Sequence, residues 1–124
     1  SINDTDDMGF TPLTFAIENC KPSELKGVAQ LLIQYEADVN FTDKMGDTPL
    51  MHLLERHPGR LDPAEKAIFA DRMLDVLKLL LDHRADPHQR NKRLGQSALE
   101  MLTNDAMSSA LQMEVGFRKI EAQL

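Results

Sequence analysis

Four histidines, at positions 52, 57, 83 and 88, and one thiol, Cys20, are the side chains best suited to catalysis or metal binding. A closed zinc site needs four convergent nitrogen or sulfur ligands. Here no histidine pairs with a cysteine, and the histidine spacing fits no such set. His52 and His88 are better accounted for by hydrogen bonding at a helix end or turn. Cys20 has no nearby His or Asp in sequence to activate it, and it follows a helix, so it reads as a packing residue. A glycine-rich phosphate loop, GxSxG and HExxH are all missing. The chain is therefore read as non-enzymatic, with no metal and no cofactor. The basic cluster Arg84, Arg90, Lys92 and Arg93 is short and interrupted. It fits a solvated hairpin tip, with an import signal, a phosphate contact or selection of an acidic partner left open.

The elements that position these residues must come from 124 residues, enough for one domain with a real core. Hydrophobic residues make up 42% and charged residues 27%, with no Trp, one Tyr and five Phe beside abundant Leu, Met and Ala. Such small knobs suit helix packing more than a β-sandwich, which points to an all-α fold. The net charge of −6 is uneven: residues 1–50 hold nine acids against three bases, and residues 51–124 hold eleven of each. An acidic chain repels phosphate, so nucleic acid and anionic membranes are disfavoured as partners. No apolar run approaches the roughly 20 residues that span a bilayer. A single cysteine fits a reducing, soluble compartment, and the cytoplasm is the expected location. The chain opens on Ser1, so targeting information can have been lost ahead of it.

Self-comparison reveals a repeat. NDTDDMGFTPL at 3–13 matches NFTDKMGDTPL at 40–50 at an offset of 37, and a weaker copy, Leu94-Gly95-Gln96-Ser97-Ala98-Leu99, follows after a further 49. LLIQYEADVN at 31–40 is echoed by LLLDHRADPH at 79–88. Thr11 and Thr48 are placed to cap helices, and Pro12 and Pro49 to occupy the first helical position. Leu13, Ala16 and Ile17, like Leu50, Leu53 and Leu54, then form one apolar stripe on each short helix. Gly9, Gly46 and Gly95 supply a positive φ in the turn before each triplet. The second helices are more apolar, with Val28, Leu31, Leu32 and Tyr35 in one and Leu74, Leu77, Leu80 and Leu81 in the other expected to carry most of the core. Asp62-Pro63-Ala64-Glu65 is a helix-start signal that predicts a long helix from Pro63 to His83.

TPLTFA at 11–16, TPLMHL at 48–53, the Leu-Leu pairs and the Ala-Asp of 37–38 and 85–86 resemble the ankyrin repeat, whose unit opens T-P-L-H-x-A and forms a β-turn and two antiparallel helices. The resemblance spans residues 2 to about 115. It implies a solenoid of stacked helix-turn-helix units with β-hairpin-like turns, in one domain over 1–124. The repeats lie at about 6–42, at 43–91 with an insertion at 57–73, and at 92–124 as a degenerate cap closed by Val115, Phe117 and Ile120. Ile2-Asn3 aligns with Val39-Asn40, so a longer array is expected. Glu36 and Arg84 stand where the family usually has Gly, and each must turn left-handed at about 1 kcal/mol or end its helix differently.

The resemblance also implies a protein-protein interaction module, monomeric as an isolated domain, that binds another protein on its concave face. Its contact positions carry over to Met8, Phe10, Glu18 and Asn19, then Lys44, Met45, Asp47, Glu55 and Arg56, then Arg93, Leu94, Gln96 and Asn104. Phe10 and Met45 are the expected apolar anchors, with acidic tips at one end and basic tips at the other. Three rival readings stand beside this one. The piece is a structural or targeting module whose face packs on another domain of a larger protein or enzyme; the 57–73 insertion is the binding element; or the repeats form a ligand-binding or catalytic domain. Asn40, preceded by Leu32, Asp38 and Val39, is similar to ankyrin asparagines that a cellular dioxygenase hydroxylates. Sparse repeats with long insertions also occur in bacterial and viral host-directed proteins, so an effector acting in host cytoplasm is a further expectation.

Overall fold

The computed structural model describes residues 2–56 and 60–103. His57, Asn104, and Val115, Phe117 and Ile120 of the expected cap lie outside the described residues. Five helices follow in order: α1 (Pro12–Asn19), α2 (Pro22–Gln34), α3 (Pro49–Leu54), α4 (Pro63–Asp82) and α5 (Ala98–Thr103). Among the described residues the nearest approach to a sheet is an isolated antiparallel bridge between Arg90 and Ser97. The fold is thus the all-α repeat expected. Helix pairs α1–α2 and α3–α4 form two layers, and α5 begins a third.

Each layer starts where local chemistry says it must. The Thr11 and Thr48 hydroxyls accept from the amides of Thr14 and Met51, with Pro12 and Pro49 in the first turn. Where the family pattern has His, Thr14 brings its hydroxyl to 3.4 Å from that of Thr11, and the Met51 sulfur accepts from the Thr48 amide. Asp62 and Glu65 close a reciprocal capping box on α4, with the Glu65 amide 2.8 Å from the Asp62 carboxylate. Caps of this kind stabilise a helix by about 1 kcal/mol each. The α4 helix ends at Asp82, with His83 as its C-cap. At 20 residues against 13 for α2, it carries about two extra turns ahead of the repeat register, roughly 10 Å at 1.5 Å per residue.

The inner stripes form the centre. Leu13, Ala16, Ile17, Leu50, Leu53 and Leu54 are buried, as α1 packs on α3 and α3 on α5. Burial of one such Leu or Ile side chain favours folding by about 1.5–3 kcal/mol. The outer helix α4 supplies Phe69, Met73, Leu74, Val76, Leu77 and Leu80. The expectation for α2 needs correction. Leu25 and Ala29 are its buried residues and Val28, Leu32 and Ile33 are partly buried, whereas Leu31 is 53% and Tyr35 65% exposed. Leu31 and Tyr35 lie four residues apart on one line of the helix, turned away from the line that packs inward. Their apolar character is real, but no described layer lies against it.

Glu36 and Arg84 end the outer helices in the left-handed conformation, both with φ of 69°. The amides of Ala37 and Ala85 reach back to Leu32 and Leu80 carbonyls at 3.0 and 2.9 Å, which recovers helix-end acceptors in return for the strain. Glycine is required most strictly at Gly46. Its φ is +80°, and a Cβ there would stand 2.6 Å from the Lys92 amide nitrogen. Gly95, at φ +65°, has open space where its Cβ would be. Gly95→Ala is therefore expected to cost about 1 kcal/mol of conformational strain alone. Gly46→Ala adds a backbone clash and should cost about 3 kcal/mol or more. Urea unfolding of the two variants checks this; equal losses would show that the two turns do not touch.

Candidate functional site

The three turns that precede α1, α3 and α5 share one design. A single side chain accepts two backbone amides and so shapes each tip. Asp6 Oδ1 receives Met8 and Phe10, both at 2.9 Å. Asp43 Oδ1 receives Met45 at 2.9 Å and Asp47 at 3.0 Å. Asn91 Oδ1 receives Leu94 at 3.1 Å and Gln96 at 3.0 Å. The third tip holds one residue more, and Asn in place of Asp leaves it an amide to donate. Nδ2 of Asn91 gives that hydrogen bond to Asp47 Oδ1 at 2.8 Å, linking the second and third tips.

Backbone contacts continue the link. The Lys44 amide donates to the Met8 carbonyl at 3.4 Å, and the Lys92 and Arg93 amides converge on the Met45 carbonyl at 3.0 and 3.2 Å. Each tip then presents one large apolar side chain to solvent: Met8 at 58%, Met45 at 47% and Leu94 at 52% exposure. The backbones beneath these three are hydrogen-bonded from tip to tip, which sets the side chains on adjoining tips.

The ends of the inner helices carry the charge. Arg93 pairs with Glu55 at 2.5 Å and with Asp47 at 3.5 Å. Burial pulls the Arg93 pKa down, but the two carboxylates outweigh it and the value is raised. Arg56 donates to the Ile17 carbonyl at 2.8 Å, bridging the two layers, and burial lowers its pKa without threatening the charge of a guanidinium. His52, on α3, sits between Glu18 of α1 at 2.6 Å and Asp43 of the second tip at 2.7 Å. Its ring and that of Phe10 meet in a T-shaped contact, centroid to centroid 5.0 Å. Burial works against a charged His52 ring; hydrogen bonds to Glu18 and Asp43, and then their charges, outweigh it, so the pKa stands above its ordinary 6.5.

Of the residues singled out from sequence, Met8, Lys44, Met45 and Leu94 are exposed on the tips. Glu18 and Asn19 are exposed at the end of α1, where the Asn19 amide donates to the Phe15 carbonyl. Phe10, Glu55, Arg56 and Gln96 are half-buried, and Oε1 of Gln96 is buried without a hydrogen-bond partner. Asp47 is buried, with its carboxylate taken by Asn91 and Arg93, so it acts as a strut between tips rather than as an open contact. Asp43, Asp47 and His52 offer ligand atoms within 4.8 Å of one another. Both carboxylates are engaged by backbone amides, Asn91 and Arg93, and both ring nitrogens of His52 lie at hydrogen-bond distance from carboxylates, so the trio is a hydrogen-bonded cluster.

Asn40 plays a part that its neighbours in sequence do not reveal. Its amide donates to the Arg84 carbonyl at 3.0 Å and its oxygen accepts from the Asp86 amide at 2.7 Å. Asn3 does the same one layer earlier, with the Glu36 carbonyl at 3.4 Å and the Asp38 amide at 2.8 Å. Each Asn thus holds the strained left-handed turn of the following layer.

A family model for the ankyrin repeat matches residues 8–44 and 45–92, more than half of the chain. No curated protein matches the chain. Asn40→Ala leaves both the Arg84 carbonyl and the Asp86 amide without their partner. It should lower the unfolding free energy by about 1–3 kcal/mol. Urea denaturation measures this, and a loss inside experimental scatter would mean that water replaces the amide freely.

Proposed function

Because the chain belongs to the ankyrin repeat family, we propose that its tips and inner helices form one face that holds a protein partner, and that it catalyses no reaction. Ankyrin repeats are in general protein-interaction modules and typically non-catalytic. The observation that carries the reading is the row of Met8, Met45 and Leu94, one exposed apolar side chain per tip on hydrogen-bonded backbones. Exposed methionine is an adaptable contact surface, and a row of such residues forms an apolar centre for an interface. Met45, 47% exposed, is the proposed central anchor. Phe10 gives part of its surface to His52, so Met8 and Leu94 are the better-exposed companions.

Charge supplies direction. The first tip carries exposed Asp6 and Asp7, and the third carries exposed Lys92 and Arg93. A partner with a basic end and an acidic end would be steered to one orientation along the row. Preassembled tips also keep the cost of ordering low when the partner arrives.

A second reading has an observation of its own. The extra turns of α4 and the start of α2 border a groove that includes Lys21, Pro22, Phe69 and Arg72, with Ile68 57% exposed beside it. One comparison separates the two. With a captured and purified partner, Met8→Ala combined with Met45→Ala should weaken binding at least tenfold, about 1.4 kcal/mol. The thermal midpoint should stay the same, because neither side chain is buried. Ile68→Ala should leave affinity unchanged. The reverse pattern would move the interface to the α4 groove.

A further inference from the structure

We propose that His52 is a pH-responsive latch on this face, which ties the first inner helix to the second tip while its ring is protonated and lets go of that helix when the proton leaves. The latch is a property of the free domain, and its consequence for a partner rests on the tip-face reading above.

Geometry carries the inference. Nδ1 of His52 lies 2.6 Å from a Glu18 oxygen, and Nε2 lies 2.7 Å from an Asp43 oxygen. A neutral imidazole has one N–H and one lone pair, so it can donate to only one of the two. Its lone pair would then face a carboxylate oxygen at hydrogen-bond distance, and that contact must open. Only the imidazolium donates to both.

Which contact opens follows from the surroundings. Asp43 is buried, and its other oxygen holds the Met45 and Asp47 amides, so it is fixed in place. Glu18 is exposed at the end of α1 and free to turn towards water. Loss of the proton therefore parts His52 from Glu18 and cuts a side-chain tie between the first layer and the tip that carries Met45. The remaining charged groups around the ring come from each packed element. Asp47 stands in the same tip, Arg56 of the α3 end acts on Glu18, and Glu55 and Arg93 close the far side through Asp47.

The surroundings of the ring favour the same direction. Burial disfavours the charged ring, yet the two carboxylates raise the pKa above 6.5. A raised folded-state pKa stabilises the fold in full below the unfolded value. That contribution is lost as pH rises through the folded value. The latch is thus closed below 6.5 and opens as pH rises through the raised folded-state value, where partner affinity at the tips should also fall.

Nitrogen NMR of the histidine rings in the partner-free domain tests this, from about pH 5.5 to 9. The expected result is one ring, lost in His52→Gln, with both nitrogens protonated below a midpoint above 6.5 and the Met45 amide moving with the same midpoint. Glu18→Gln removes one carboxylate while leaving the core intact, and should shift that midpoint to lower pH; it also identifies the ring if His52→Gln fails to fold. Thermal stability should fall across the same range in the wild type and less in Glu18→Gln. A His52 midpoint at or below 6.5, a midpoint that ignores Glu18→Gln, or a Met45 amide that does not follow the ring would overturn the proposal. No partner is present in these measurements, so the methionine substitutions decide the binding face separately.

Discussion

Short inner helices impose the constraint on which the rest of this molecule depends. At eight and six residues, α1 and α3 are below the length at which a helix holds itself together in water. They persist because a neighbour covers their apolar stripes: α1 lies against α3, and α3 lies against both α1 and α5. Each layer is therefore incomplete alone, and stability belongs to the junctions. That is why so many of the specific polar contacts cross between layers. Asn3 and Asn40 reach into the next left-handed turn, Arg56 reaches the end of α1, and Asn91 reaches Asp47.

The same junctions prepare the surface. A tip set by one Asp or Asn, and hydrogen-bonded through its backbone to the next tip, presents its apolar side chain at a fixed place in a row. Such preorganisation lowers the ordering cost of binding. The strain at Glu36 and Arg84 belongs to the same design, since each left-handed carbonyl is the acceptor for the preceding Asn. A Gly at these positions would relieve the strain without altering that bond, so the array is somewhat less stable than its geometry allows.

Much of this was legible in the sequence, because much of it is local. Thr11, Thr48 and Asp62 announce their helices within four residues. Gly46 announces its turn, and the inner stripes follow from the 3.6-residue period. What escaped was long-range. The apolar Leu31 and Tyr35 read as core because periodicity shows that a stripe exists and not whether a neighbour stands against it. Asp47 read as a contact because Asn91, which occupies it, lies 44 residues away. His52 and Glu18 are 34 residues apart, and in the first repeat the place of His52 is held by Phe15, so self-comparison gave no hint of the bridge. For Asn40 there was a signal, its identity with Asn3 one repeat earlier, but its two partners are backbone groups that no sequence pattern marks.

On the proposed face, one continuous row of linked tips meets the partner. Hydrogen exchange of the domain with and without bound partner tests it most directly, in peptides covering residues 6–10, 43–47, 91–96 and 61–72. Slowed exchange is expected in the three tip peptides together, with the α4 extension unchanged. Protection confined to residues 61–72, or to one tip alone, would contradict it.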